Sequence, residues 1–192
     1  RRITLTNHSD APHMVEVTSY AEVVLAPSGQ DAAHPAFSNL FVETELLRAQ
    51  QAILCTRRPR SIHEHSPWMV HLMAARNETS AELSFETDRM AFVGRGRSLV
   101  APFAMTREGP LSNSEGAVLD PVVAIRRAVQ IQPHQSVQFD LITGVTETRE
   151  LAVLVADNIN GALGGGNLGD GQLLSGQVEG PSAQLDAADL DG

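Results

Sequence analysis

The stretch VEVTSYAEVVLAPSGQDAAHPAFSNLFVETE, residues 15–45, decides the fold class of this 192-residue chain. Its first eleven residues alternate in polarity along the sequence. Such period-two alternation on β-branched residues is typical of a strand with one buried face. After a loop rich in Pro, Gly and Asp, the segment LFVETE alternates again and ends in two carboxylates. The residues that share the apolar face of the first strand are Val15, Val17, Ser19, Ala21, Val23 and Leu25.

Similar runs recur along most of the chain, and turn residues separate them. We count nine or ten strands and at most two short helices, which predicts an all-β fold, a two-sheet antiparallel β-sandwich. The turns between neighbouring runs also predict hairpins. The predicted hairpins join residues 2–7 to 13–25, residues 67–76 to 80–87, and residues 117–132 to 136–144.

Composition excludes several classes of function. The formal net charge is −9, so nucleic acids and anionic membrane surfaces are poor partners. Cys55 is the single cysteine, which excludes an intrachain disulfide and fits a reducing compartment. Its place in the alternating segment AILCTR favours a buried strand position over a nucleophile. No apolar run is long enough to span a bilayer, and we therefore expect a cytoplasmic protein without direct membrane insertion.

The composition divides the chain into three parts. Residues 1–145 carry the strand pattern, and residues 146–160 read as the start of a helical linker with Thr146 as its cap. Its predicted apolar face consists of Leu151, Leu154 and Val155. Residues 161–192 are rich in Gly, Ala and Asp and contain no basic residue, which predicts a disordered tail. The chain begins without methionine, and we interpret it as a piece of a longer protein.

Two candidate sites involve groups that could do chemistry. Glu43 and Glu45 share a strand face, and paired carboxylates are the apparatus of glycoside hydrolysis. Such pairs are abundant on the solvent faces of strands, however, so a polar sheet face or an interface salt bridge is the better interpretation. His63 and His65 flank Glu64, and His71 follows six residues on, at a spacing that a metal site could use. Ser and Pro interrupt that strand, however, so a solvated loop is the better interpretation. We predict neither a metal nor a cofactor.

Arginines and aromatic residues are the candidates for binding. The segment GRGR combines close-approach glycines with planar donors suited to phosphate, carboxylate or sugar hydroxyls; ion pairs within an acidic protein are the alternative. A carbohydrate-binding module would need exposed aromatic platforms, and Trp68 and Tyr20 would have to serve. The arginines fall into two clusters: Arg57, Arg58 and Arg60 in the first, and Arg89, Arg95 and Arg97 in the second.

Several segments in sequence order resemble the β-sandwich domain of glycoside hydrolase family 94, above all the phosphorylase-like part of bacterial cyclic β-1,2-glucan synthases. The resemblance covers residues 1–150. It implies a galactose-mutarotase-like supersandwich that precedes an (α/α)6 barrel in the same polypeptide. The segments are RRITLTNHSDAPHMVEVTSYAEVVL, HPAFSNLFVETE, RRPRS, FETDRMAFVGRGR and GAVLDPVVAIRRAVQIQPHQSVQFDLITGVTETRE.

In that family the barrel carries the catalytic acid and most of the phosphate site, whereas the sandwich supports it, contributes to dimer contacts and lends loops to the active-site rim. The resemblance therefore implies a non-catalytic domain of an enzyme at the bacterial inner membrane. Its expected partners are the barrel, a second copy and a β-glucan oligosaccharide. Our candidates for the substrate rim are Arg89, Arg95, Arg97 and Trp68, and those for an interface are Arg57, Arg58, Arg60, Glu43 and Glu45.

Overall fold

The computed structural model describes residues 1–59, 61, 64–76 and 83–164, and these form two antiparallel sheets with short helices around them. The all-β sandwich predicted from the sequence is confirmed. The strands are β1 (Arg2–Thr6), β2 (His13–Thr18), β3 (Ala21–Glu22), β4 (Val42–Leu47), β5 (Ala52–Arg57), β6 (Trp68–Arg76), β7 (Leu83–Asp88), β8 (Gly116–Ala117), β9 (Pro121–Ile131) and β10 (Ser136–Thr146). The helices are α1 (Ser28–Ala33), α2 (Pro35–Asn39), α3 (Arg89–Val93), α4 (Phe103–Thr106) and α5 (Arg149–Gly164).

The first sheet has six strands in the order β1-β10-β6-β5-β4-β8. The second sheet has four strands and is built on β9, an eleven-residue strand. Strands β2 and β3 pair with successive parts of one edge of β9, and β7 pairs with the other edge. Because β9 is hydrogen-bonded on both edges, it is the strand on which the smaller sheet depends.

The core lies between the two sheets and comes from alternate residues of each strand. From the four-stranded sheet, β9 contributes Val123, Ile125 and Val129, and β10 of the other sheet contributes the fully buried Phe139. Burial of each such side chain contributes about 1.5–3 kcal/mol. The apolar face predicted for residues 15–25 packs against this core, although the strand is interrupted at Ser19 and Tyr20 between β2 and β3.

Each sheet is covered on its outer face as well. Helix α5 packs on the six-stranded sheet through Ala152 and Ala156, which are fully buried against β5 and β6. The segment that contains α3 and α4 covers the four-stranded sheet, where Phe92 and Leu111 pack around Ala124 of β9. The molecule therefore has four layers: α5, the six-stranded sheet, the four-stranded sheet and the α3–α4 segment.

The three predicted hairpins are wrong. Strand β1 pairs with β10 and β2 with β9, so the turn at Asn7 carries the chain from one sheet to the other. The same is true of β9 and β10, and β7 pairs with β9 instead of β6. Asn7 holds its turn in place by donating to the carbonyls of Ala11 and Ile131, at 2.8 and 3.0 Å. Strand periodicity predicts which face of a strand is buried, but it does not predict which other strand it pairs with.

The helix count was also too low, because the described residues contain five helices. Three of them lie in segments that the sequence indicated as loops; Asp88, for example, caps α3 by accepting from the backbone amide of Met90 at 2.8 Å. Helix α5 begins at Arg149, and Thr148 rather than Thr146 caps it by accepting from the amide of Leu151. Of the predicted apolar face, Val155 packs on the sheet, whereas Leu151 and Leu154 face solvent. The domain boundaries stay predictions, and residues 165–192 lie outside the described residues.

His71 is a polar link between the two sheets. It lies on β6 with its side chain buried, its Nε2 is 3.0 Å from Ser19 Oγ of the four-stranded sheet, and its Nδ1 is 2.8 Å from Thr143 Oγ1 of β10. Burial lowers the pKa of the imidazole from 6.5 to about 4. The folded state therefore holds the neutral ring at pH values where the unfolded chain binds a proton.

We expect the free energy of unfolding to fall by about 3 kcal/mol as the pH decreases from about 6.5 to 4, because the unfolded chain takes up a proton at His71 that the folded state rejects. Urea denaturation across this range measures the loss. The His71→Gln variant should lack this part of the slope. The carboxyls of Asp140 and Glu45, whose arginine partners lower their pKa values, lose their contribution only at lower pH. Parallel curves for the two proteins would contradict the assignment.

We also expect Ala152→Leu to weaken the docking of α5 by about 1–3 kcal/mol, because Ala152 is fully buried against the sheet and a larger side chain overpacks the contact. Trp68, the single tryptophan, packs against the same cluster, so its fluorescence emission should move to longer wavelength at lower urea concentration. The matched control is Leu154→Ala on the exposed face of the same helix, which should leave the transition in place.

Candidate functional site

The candidate site is built on residues 94–110, which we call the arginine loop. It begins at Gly94, whose φ is +86° and where an added Cβ would lie 2.7 Å from the Cβ of Phe103. Only glycine fits both the backbone conformation and this close approach. The guanidinium of Arg97 lies 5.6 Å from the centre of the Phe103 ring and donates to Thr106 Oγ1 at 3.0 Å. These contacts close the loop on itself.

A buried arginine of the central strand holds this loop on the sheet. Arg126 of β9 is only 4% exposed. Its Nη2 donates to the carbonyl of Ala104 at 2.6 Å, its Nη1 to the carbonyl of Gly109 at 2.8 Å, and its Nε to Thr18 Oγ1 at 3.0 Å. Hydrogen bonds from a charged donor are among the stronger ones in proteins. One side chain thus fixes the loop to two strands of the sheet.

A buried carboxylate fixes the segment that returns from the loop. Glu86 of β7 accepts from the hydroxyls of Ser112 and Ser114 and from the backbone amides of Thr87 and Asp88. These hydrogen bonds hold the return segment beside β7, where the amide of Asn113 also donates to the carbonyl of Phe85 at 2.8 Å. Neither Arg126 nor Glu86 was among the site residues predicted from the sequence. Charged residues inside the apolar segments PVVAIRRAVQI and LSFETD are the signal that could have revealed them.

The outer surface of the arginine loop is basic and apolar. Residues 94–107 contain three arginines and no acidic residue, in a chain of net charge −9. Val100 is 95% exposed at the tip of the loop. Phe103 and Arg107 line a cleft of about 70 Å³ above Arg126, well below the volume of most ligand pockets. The large apolar side chains exposed on the loop are Leu99, Val100, Phe103 and Met105.

The four candidates for the substrate rim do not come together in the structure. Arg95 and Arg97 lie on the arginine loop, whereas Arg89 binds Glu22 and Asp120, at 3.1 and 3.7 Å. Trp68 lies on the opposite outer face of the sandwich, in the cluster beneath α5.

The aromatic residues needed for a sugar platform are engaged within the fold. Trp68 is half-buried and packs with the cluster that α5 covers. The ring of Tyr20 lies 4.7 Å from that of Phe92, and its hydroxyl donates to Glu22. Burial and the neighbouring carboxylate raise the pKa of Tyr20 to about 12. Each of the two rings thus packs against other side chains of the fold.

The carboxylates Glu43 and Glu45 each bind an arginine on the outer face of β4. Glu43 binds Arg58 at 2.9 Å. Glu45 accepts a bidentate pair from Arg149 at the start of α5, and that hydrogen bonding lowers the pKa of its carboxyl. A general acid needs a raised pKa, so this arrangement favours a structural role.

Two predicted features fall partly outside the described residues. Arg57 is buried between the sheets and Arg58 is exposed, whereas Arg60 lies outside the described residues. His63 of the candidate metal cluster lies outside them too. Within the described ranges, no three His, Cys, Asp or Glu side chains come close enough to hold a metal ion.

Residues 1–162 match the family model described as "Glycosyl hydrolase 94, supersandwich domain". The chain belongs to this family. Over 150 residues, 78% of its length, it is 35% identical to "Cyclic beta-(1,2)-glucan synthase NdvB" of Rhizobium meliloti (strain 1021). The match covers 5% of that relative. The supersandwich match includes all ten strands of the described residues and most of α5. We conclude that the chain is a domain of a carbohydrate-active enzyme.

We expect Arg126→Met to release the arginine loop, because the carbonyls of Ala104 and Gly109 lose their buried donor. The free energy of unfolding should fall by about 3 kcal/mol. Limited trypsinolysis with mass spectrometry should show cleavage after Arg95 and Arg97 that is about tenfold faster than in the wild type. The exposed Arg58→Met is the matched control and should leave these rates unchanged. Equal cleavage rates in both variants would show that Arg126 does not hold the loop.

Proposed function

We propose that this supersandwich is a non-catalytic support within an enzyme of the cyclic β-1,2-glucan synthase or glycoside phosphorylase type. It would carry a catalytic (α/α)6 barrel and mediate contacts with that barrel or with a second copy. The observation that carries this proposal is the arginine loop, which is fixed from beneath by a buried arginine and exposes apolar side chains at its tip. A rigid loop with an exposed apolar tip is suited to docking against another surface.

The state of the carboxylates supports a non-catalytic role. Glu43 and Glu45 are each bound to an arginine, and the Glu45 pair joins the outer face of β4 to α5. Helix α5 lies at the end of the matched domain and exposes Leu151 and Leu154 away from the sheet. We propose that α5 supports the domain that follows. We also propose that any contact with a sugar or phosphate comes from Arg95 and Arg97.

The relative is named as a cyclic β-(1,2)-glucan synthase. We therefore propose that the whole enzyme of which this chain is a domain binds a β-glucan oligosaccharide. We also propose a cytoplasmic location beside the bacterial inner membrane. Among the described residues no helix combines the length and the apolar character that a membrane crossing requires.

Calorimetric titration of the purified chain with linear β-1,2-glucooligosaccharides, with and without phosphate, tests the proposal. A folded chain should give no saturable heat at millimolar ligand and should neither hydrolyse nor phosphorolyse the sugar. Turnover that disappears in the Glu43→Gln/Glu45→Gln variant would overturn the non-catalytic role. Binding that is lost in Trp68→Ala and Tyr20→Ala would instead favour the alternative, an autonomous carbohydrate-binding module.

We expect the separate chain to self-associate with increasing concentration, because the tip of the arginine loop is apolar and unburied. Sedimentation velocity should show the association, and Leu99→Glu/Val100→Glu should reduce it. Met14→Glu, at an exposed position on β2, is the control and should leave it unchanged. A wild-type chain that stays monomeric throughout would remove the loop tip as a docking surface.

A further inference from the structure

Arg57 is the last residue of β5 and points into the space between the sheets. It follows Ile53 and Cys55 on the same face of the strand, and both of these lie in the core. The residue is 3% exposed. Its Nε, Nη1 and Nη2 atoms have no hydrogen-bond partner in the part of the chain that the structure describes.

Such an arrangement is costly for a folded domain. Buried polar groups are almost always hydrogen-bonded, and a buried guanidinium without an acceptor loses its hydration without compensation. The ring of Phe41 lies 5.4 Å from the guanidinium carbon and makes a cation–π contact. That contact satisfies one face of the guanidinium plane. The N–H groups point outward along the edges of the plane, and the ring does not satisfy them.

The neighbouring arginine shows what a structural pairing looks like at this place in the fold. Arg58 is exposed, and its Nε and Nη2 atoms bind Glu43 at 3.1 and 2.9 Å. The two successive arginines thus differ in burial and in pairing. The exposed one has a carboxylate, and the buried one, which needs an acceptor more, has none.

We infer that Arg57 is the base of an oxyanion-binding site at this end of the sandwich. The planar fork of its N–H groups matches the two oxygens of a carboxylate or a phosphate group, and Phe41 holds the plane of the guanidinium in position. The ligand is either free inorganic phosphate or the carboxylate of a protein side chain brought in by a partner domain. With free phosphate as the ligand the site goes beyond the supporting role proposed above, and with the carboxylate of a partner domain it rests on that role.

Thermal unfolding of the full chain in phosphate, formate or chloride of equal ionic strength tests the site. With the anion at 100 times its Kd, the Tm of the wild type should rise by roughly 5 to 10 °C above the chloride value. Phosphate also stabilises proteins without binding at a site, so the comparison with variants is what decides. Arg57→Met should lose the anion-dependent rise, and the matched control Arg58→Met should keep it.

The variants also separate a ligand site from a structural one. In chloride, Arg57→Met should unfold at the same Tm as the wild type or above it, because it replaces an unpaired buried charge with an apolar side chain. If the Met variant does not fold, Arg57→Gln takes its place with the same expectation in phosphate and formate. A rise with phosphate alone identifies free phosphate as the ligand, and a rise with formate identifies a carboxylate. An equal rise in the wild type and in the Arg57 variant, or no rise at all, would overturn the site.

Discussion

The double-sided burial of β9 is the constraint on which the rest of this structure depends. Toward the six-stranded sheet the strand presents apolar side chains that fill the core. Toward the opposite side it presents Ala124 and Arg126, which hold the α3–α4 segment. Because β9 is buried on both faces, the guanidinium of Arg126 cannot reach water and depends on the carbonyls that it binds. Those carbonyls must therefore stay in place. The core and the arginine loop are therefore coupled through one strand.

The sequence was sufficient to predict what depends on local alternation, and insufficient for what depends on distant partners. Residues 15–25 alternate because one face meets the core, and that face is visible in the residue types. The partner of β2 is β9, more than a hundred residues away, and no local pattern encodes it. The same limit hid Arg126 and Glu86, since their acceptors and donors lie on a segment that looked irregular by composition. The loop that we predicted as the site was located by its arginines, whereas the residues that order it were not.

The two ion-pair candidates on β4 illustrate how one pattern permits different outcomes. Glu43 and Glu45 are two residues apart and share a face, as the alternation requires. Their function is decided by what covers that face, and the cover is supplied by Arg58 and by Arg149 of α5. Arg149 lies 104 residues from Glu45 along the chain. Paired carboxylates on a strand can act in catalysis only when the layer that covers the strand does not bind them in ion pairs.

The order of the layers sets a distance between two surfaces. Layers of sheet and helix pack about 10 Å apart, so the axis of α5 and the middle of the α3–α4 segment are held about 30 Å from each other by rigid packing. A body that touches one of them does not reach the other unless it wraps around an edge. The domain thus acts as a rigid spacer between these two surfaces. Two partners that bind the α5 face and the arginine loop are therefore held at a fixed distance by the packing of the domain.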